Sequence, residues 1–250
     1  MIAERVERAI LVGDPSSTLG RARLKAAISA RRALVRLGDP TVSYRIGEVA
    51  IELPLSHELP FYRHDHPRYD ARIGPLARDL GGPVVDIGAN VGDTAAFIRA
   101  ETRIPILSIE GDERFFAFLE RNATRLADVE LERAYVEAPG DKTLAEILRE
   151  HPRFARPSLL KIDTDGMDVP ILEANLDWLA RERPVLFFEY DPHFGAHPGI
   201  FDRLRDAGYT RAEWYENTGN LAATVTLPAH LHDQYVGHGG ARYADVCVFP

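Results

Sequence analysis

Two acids and a pair of glycines carry the first chemistry legible in this sequence. The stretch "PVVDIGANVGDTAAF", Pro83 to Phe97, sends a short apolar run into Asp86 and then into a turn holding Gly88 and Gly92. A second apolar run, "PILSIE", ends at Glu110, 24 positions later (110 − 86). Gly88 permits a tight turn, and Gly92 permits close backbone approach where a helix begins. Such a strand-end turn is where nucleotide-like ligands bind in open α/β sheets. A dinucleotide fingerprint would place glycines at 88, 90 and 93, whereas this chain has Asn90 and Asp93. A carboxylate there would face the pyrophosphate at a helix N-terminus suited to anions. S-adenosylmethionine has no phosphates and carries a sulfonium, an ammonium and a carboxylate. Asp86 is then expected to hold the ammonium end, directly or through water, within the turn Gly88-Ala89-Asn90-Val91-Gly92. Glu110, followed by Gly111, is expected to accept both ribose hydroxyls. NAD sites also place an acid at about this distance, so the acidic turn is what separates the two cofactors. The competing reading, in which both acids only cap helices, leaves their coincidence with a glycine turn unexplained.

Four stretches together carry a family resemblance: "VVDIGANVGDTAAF", "ILSIEGDE", "LLKIDTDGMDVPILEAN" and "PVLFFEYDP". They resemble the FkbM family of S-adenosylmethionine-dependent methyltransferases, from about Pro83 to Pro192, with "RYADVCVFP" fitting at the C-terminal end. The resemblance implies a Rossmann-like, seven-stranded class I methyltransferase sheet whose last strand is antiparallel. It also implies methyl transfer, most often to a hydroxyl of a sugar, lipid or natural product. Many relatives carry Val-Glu where this chain has Thr164-Asp165, so the acid is kept with one methylene fewer.

Methyl transfer to oxygen is an in-line displacement that needs the acceptor aligned and its proton removed. The candidates are Asp163, Glu189 and Lys161. Along a strand, Lys161 and Asp163 share a face with Ile162 opposite, and Glu189 and Asp191 share a face with Tyr190 opposite. Asp163 is expected to serve both the cofactor and the acceptor hydroxyl. Asp165-Gly166 reads as turn chemistry before a helix, and Glu189 reads equally as a site acid or as an ion-pair partner of Lys161. Asp163, Glu189 and Asp191 are also capable of holding a divalent metal through oxygen, although no metal is expected. His64, His66, His230 and His232 come in close pairs but lack further ligands at zinc spacing. His193 and His197, just past the fifth strand, are candidates to line the acceptor pocket.

These groups need a scaffold, and the chain alternates short apolar runs with helical patterns from Pro83 onward. Strands are expected at "PVVDIG", "PILSIE", "VELERAYV", "SLLKID", "PVLFFEY", "YTRAEWYE" and "ADVCVF". Helices are expected between them, including one continuous helix over "MDVPILEANLDWLAR" and none between the last two strands. That alternation predicts an α/β fold with a parallel sheet covered on both faces, assigned to residues 81–250. Residues 1–80 read as an extension that covers the acceptor side. It has two helices up to Gly38, a hairpin over "TVSYRIGEVAIELP" and a loop over "HELPFYRHDHPRYD". Arg21, Arg23, Arg31, Arg32 and Arg36 on the second helix read as a solvated face or as a contact for an anionic partner or membrane surface.

Of the 250 residues 45% are hydrophobic, enough for a real core, and the net charge is −8. That balance disfavours a broad nucleic-acid footprint, while the family resemblance implies a small-molecule or glycan acceptor. One cysteine, Cys247, excludes an intrachain disulfide and fits a reducing compartment. The charged N-terminus lacks the apolar segment of a secretory signal, and no apolar run reaches the length of a membrane span, so a cytoplasmic protein is expected. The alternatives are an NAD-linked oxidoreductase, which the residues at 90 and 93 oppose, and a non-catalytic cofactor-binding protein, which the acids at 163, 165 and 189 oppose.

Overall fold

Runs such as Val84-Val85 and Leu159-Leu160, bounded by Gly and Pro, become strands buried on both faces, as in parallel sheets covered by helices. The structure, a computed structural model, describes residues 2–137, 141–191, 199–227 and 243–250. The N-terminal part comprises α1 (Ile2–Leu11), α2 (Thr18–Arg36), β1 (Thr41–Ile46), β2 (Val49–Pro54), α3 (Leu59–Asp65) and α4 (Ile73–Leu80). Then come β3 (Val84–Ile87), α5 (Asp93–Glu101), β4 (Ile106–Ile109), α6 (Glu113–Ala123), β5 (Val129–Glu132) and α7 (Leu144–Glu150). The C-terminal half holds β6 (Leu159–Ile162), α8 (Asp168–Ala174), α9 (Leu176–Glu182), β7 (Val185–Tyr190), α10 (Ile200–Asp206), β8 (Arg211–Glu216), β9 (Leu221–Thr226) and β10 (Ala244–Phe249).

The main sheet runs β5-β4-β3-β6-β7-β10-β8-β9. β3 to β7 pair in parallel, and β10 is antiparallel to both β7 and β8. The seven expected strands are present in a mostly parallel α/β sheet. An eighth, β9, pairs antiparallel with β8 at the edge. Its sequence, "LAATVT", alternates only weakly and is half exposed, which hid it among the loops. The expected loop at 57–70 contains α3, started by Pro60 in the first turn, where proline's fixed φ suits a helix. The single helix expected over 167–181 is two. Asn175 turns its side-chain amide back to the Ile171 carbonyl at 2.8 Å and also donates to Glu137, and the break sits there.

Side chains alternate between two cores. Val85, Ile87, Leu107, Leu160, Ile162 and Phe188 face one, with residues of α7 to α10. Val84, Ile106, Leu159, Val185 and Phe187 face the other, with Ile51, Leu53, Leu76 and Ile98. The N-terminal extension is therefore packed into the second core rather than standing apart. α2 has no fully buried residue along its 19 positions and meets that core through the partly buried Leu34 and Val35.

At the far edge, β5 is fastened by His151, whose Nδ1 lies 3.0 Å from Glu130 and Nε2 3.1 Å from Glu132. Both ring nitrogens face carboxylate oxygens, so both must donate and the ring is imidazolium. Burial opposes the charge, but the bonds to Glu130 and Glu132 outweigh it and raise the pKa above the ordinary histidine value. A raised folded-state pKa gives stability that is full below the unfolded value, about 6.5, and is lost as pH climbs through the folded value. Urea unfolding of wild type and His151→Gln should differ by about 1 kcal/mol or less near pH 6, and the gap should close by pH 9. A gap that is constant or grows with pH refutes the imidazolium assignment.

Candidate functional site

The chain reverses its direction across the sheet between β3 and β6, the position where ligands bind in open α/β folds. Gly88 follows β3 with φ +78°, and a Cβ there would lie 1.8 Å from the Asp163 carbonyl oxygen. Its own neighbouring backbone therefore requires glycine at 88. Gly92 has φ +89°, and a Cβ there would press on Leu119 of α6 at 3.0 Å, so its demand too comes from the fold. Asn90 adopts φ +47°. Its N–H donates to Glu110 Oε2 at 2.7 Å, and the Asp112 N–H donates to Oε1 at 2.8 Å. Glu110 thus clamps the glycine turn to the end of β4. An ionised carboxylate offers about four acceptor positions, so two remain for a ligand. Burial raises the Glu110 pKa against the pull of those two N–H groups.

Two cavities meet at this turn. The first, about 290 Å³, is lined by Gly88, Asn90, Glu110, Gly111 and Asp163, with Phe115, Tyr135 and Met167 among its apolar walls. Gly111 lies beneath Tyr135, whose ring a Cβ would meet at 2.3 Å. The second, about 240 Å³, shares Gly88, Asn90, Asp163 and Asp165 and adds Lys161, Glu189 and Asp93. Tyr62, Tyr69 and Tyr243 also face it, the first two stacked with centroids 5.5 Å apart. Of the residues expected at the site, Asp86, Ala89 and Gly92 line neither cavity. Ala89 and Asp86 are fully buried, and Gly92 opens α5.

Strand register explains the charge. Asp86 pairs with Lys161 across β3 and β6, and Glu189 pairs with Asp245 across β7 and β10. Lys161 is buried, with its ammonium 3.2 Å from Asp86, 3.4 Å from Asp163 and 3.4 Å from the Gly88 carbonyl. Its ion pairs go to these two aspartates. Burial opposes its charge, but Asp86, Asp163, Asp93 and Asp70 hold its pKa well above the lysine value. Burial raises Asp86 to about 6, with Lys161 pulling it down. The Asp86 oxygens receive no well-directed hydrogen bond, and the Lys161 ammonium 3.2 Å away is what answers their burial. Glu189 is pushed up to about 8 by burial first, then by Asp163, Asp168, Asp165 and Asp191.

Two residues outside the expected set shape this wall. Asp168 accepts from the Thr164 N–H and hydroxyl at 3.1 and 2.8 Å, and from the Glu189 N–H at 3.1 Å. It ties the loop after β6 to β7, and its spacing from Thr164 was the available signal. Asp165 and Gly166 both have positive φ, as the turn reading requires. His57 is the second, lying against Asn90 with its Nε2 3.2 Å from Asn90 Oδ1; nothing in its loop-like surroundings marked it. Arg31, read as part of a solvated face, instead binds the carbonyls of Leu55 and Ser56 and the Glu58 carboxylate. His193, His197, His230 and His232 lie outside the described residues. Among the described residues no group of three or more His, Cys, Asp or Glu is arranged to hold a metal, and no helix is long and apolar enough to cross a membrane.

Residues 133–211 match the methyltransferase FkbM domain. The match takes in Asp163 and Glu189 and begins downstream of the glycine turn and Glu110. No curated protein matches the chain. Among solved structures, the METTL16 MTase domain is similar at 13% identity over 91% of this chain and 79% of that one, with a TM-score of 0.52. Human methyltransferase 10 domain containing protein is similar at 12% identity over 90% of this chain and 96% of that one, TM-score 0.50. Methyltransferase FkbM from Methylobacillus flagellatus KT shows 14% identity over 67% of this chain and 43% of that one, TM-score 0.46. At these identities the likeness is one of fold.

The contact between Gly88 and the Asp163 carbonyl joins backbone to backbone and cannot relax by a rotamer change. Gly88→Ala should therefore lose about 2–4 kcal/mol, from the left-handed φ and the overpacking, measured by denaturant unfolding without ligand. A variant as stable as wild type shows that the turn can open without cost.

Proposed function

We propose, from the match of residues 133–211 to the methyltransferase FkbM domain, that the protein transfers a methyl group from S-adenosylmethionine to a hydroxyl of a sugar, lipid or natural-product acceptor. The observation that carries this reading is the pair of cavities meeting at Asp163. One is walled by Glu110 and apolar groups, the other by acids and tyrosines. The first suits the nucleoside end of the cofactor: Glu110 keeps two acceptor positions for a diol, and Phe115, Tyr135 and Met167 offer apolar surface to a purine. Gly88, Asn90, Gly111 and Asp163 complete that wall. Asp86, with Ala89 and Gly92, supports it from behind, Asp86 by fixing Lys161. When bound, the cofactor supplies an electrophilic methyl group on sulfonium sulfur.

The chain's own residues must then receive the acceptor and take its proton. Asp163 stands on the wall shared by both cavities, with the Lys161 ammonium holding its carboxylate at 3.4 Å. It orients the acceptor hydroxyl or accepts its proton, and Glu189 is the second base. α3 and the loop behind it bring Tyr62 and Tyr69 over the acceptor cavity, which fits residues 1–80 as an acceptor-side cover. The buried Cys247 fits a reducing compartment such as the cytoplasm.

A second reading has a specific observation in its favour. Glu58, Asp93, Asp163, Asp165 and Glu189 line the acceptor cavity beside three tyrosine rings, a lining that attracts cations. An amine acceptor methylated on nitrogen fits that lining. Titration calorimetry with S-adenosylmethionine and with NAD tests the cofactor. Transfer of label from S-adenosylmethionine to paired alcohol and amine acceptors then separates oxygen from nitrogen.

With a labelled acceptor in hand, Asp163→Asn should lower turnover about 10²–10⁴-fold, the usual loss on removing a general base, while cofactor affinity changes little. A base works in its deprotonated form, so if Glu189 takes the proton, turnover rises with pH through about 8. Glu189→Gln should erase that limb. A wild-type profile flat between pH 7 and 9 removes Glu189 from the proton's path.

A further inference from the structure

His57 lies between β2 and α3, outside the sheet, yet it reaches the cofactor turn. Its hydrogen bonds are forced by a backbone group. The Leu59 N–H can only donate, and it meets His57 Nδ1 at 3.2 Å, so Nδ1 is the acceptor. A neutral imidazole with an accepting Nδ1 carries its proton on Nε2. That proton faces Asn90 Oδ1 at 3.2 Å, which fixes the Asn90 amide with its oxygen toward His57. The NH₂ group is then turned away from the histidine, on a side chain that lines both cavities. The imidazole itself is held edge-on to Phe115, with centroids 6.2 Å apart. Its segment is fastened from α2 by Arg31, and by Asp39, which accepts from the Ser56 N–H at 2.8 Å and the Ser56 hydroxyl at 2.6 Å.

We propose that His57 is a positioning residue of the cofactor site: it orients the Asn90 amide so that its NH₂ donates to the carboxylate of S-adenosylmethionine. The inference rests on the cofactor reading above and adds to it that the N-terminal extension helps build the cofactor site as well as the acceptor side. Asn90 reads as a turn residue when its backbone alone is considered, with φ +47° and its N–H on Glu110. The histidine gives its side chain a defined donor direction.

Titration calorimetry with two ligands separates this role from general support of the turn. S-adenosylhomocysteine has the amino-acid carboxylate, and 5′-methylthioadenosine lacks it. His57→Phe keeps an aromatic ring against Phe115 and loses both hydrogen bonds. It should weaken S-adenosylhomocysteine about tenfold or more, the range of a hydrogen bond to a charged group, and leave 5′-methylthioadenosine within about twofold. Asn90→Asp keeps an oxygen for His57, tolerates the left-handed backbone and replaces the donor with a carboxylate, so it should show the same selective loss. His57→Gln, which retains one acceptor and one donor, should recover part of the affinity. Equal weakening of both ligands, or no weakening of either, overturns the proposal while wild-type binding of S-adenosylhomocysteine preserves the cofactor reading. Wild-type protein that binds neither ligand overturns both.

Discussion

One buried cation holds the site together. Lys161 sits at the carboxyl edge of the sheet with its ammonium on Asp86, Asp163 and the Gly88 carbonyl. Those three groups come from the end of β3, the turn after it and the end of β6. Breaking a buried pair by removing one partner costs about 3–5 kcal/mol, because the other charge stays buried and unanswered. Asp86, which has no well-directed hydrogen bond and no exposure, is the group most dependent on Lys161. The geometry at Asp163 is therefore set by an ion-pair group whose deepest member, Asp86, lines neither cavity.

The alternation of strand side chains explains why the charges collect there. Phe187 on β7 and Cys247 on β10 face the core that the extension fills. Two positions closer to the sheet's carboxyl edge, the same face carries Glu189 and Asp245, paired across β7 and β10. Lys161 on β6 is in register with Asp86 on β3, and Asp163 follows two positions on. The apolar layer thus ends in an acidic one, beneath Tyr62 and Tyr69 of the extension. Burial first, and then the neighbouring acids, raise the carboxylate pKa values of Asp70 to about 7 and Glu189 to about 8.

The sheet was largely legible because its strands are short apolar runs at parallel-sheet spacing, and such runs have few other uses. β9 escaped because an edge strand half in solvent need not alternate strongly. The break at Asn175 escaped because helical periodicity continues on both sides of it, and only the amide's return to Ile171 reveals the stop. Gly88, Asn90, Glu110 and Asp163 were legible from type and spacing as neighbours on one cavity wall. Their physical reasons were less so: glycine at 88 answers the Asp163 carbonyl, and Glu110 clamps the turn as well as facing the cavity. Asp86 carries the motif's first acid, but its contact is Lys161, 75 positions away (161 − 86). His57 and Arg31 were illegible because their meaning lies in partners brought near only by the fold.

Sharing Asp163 between two cavities constrains the chemistry on the hydroxyl reading. An alkoxide formed in advance in the second cavity would be a further anion among Asp93, Asp163 and Asp165, with Lys161 the one cation among that cavity's described lining and already engaged. At an effective dielectric of about 20, each like charge some 4 Å away costs about 4 kcal/mol. A neutral hydroxyl carries no such cost, and neither does an oxygen whose proton leaves as its bond to carbon forms. The same field favours a sulfonium on the other side of the shared wall. The sign of the cavity's charge thus favours a late proton transfer to a nearby carboxylate over a preformed nucleophile. A base with its pKa lifted by its acidic neighbours, as burial and Asp163 lift Glu189, is better matched to that task than an ordinary surface carboxylate.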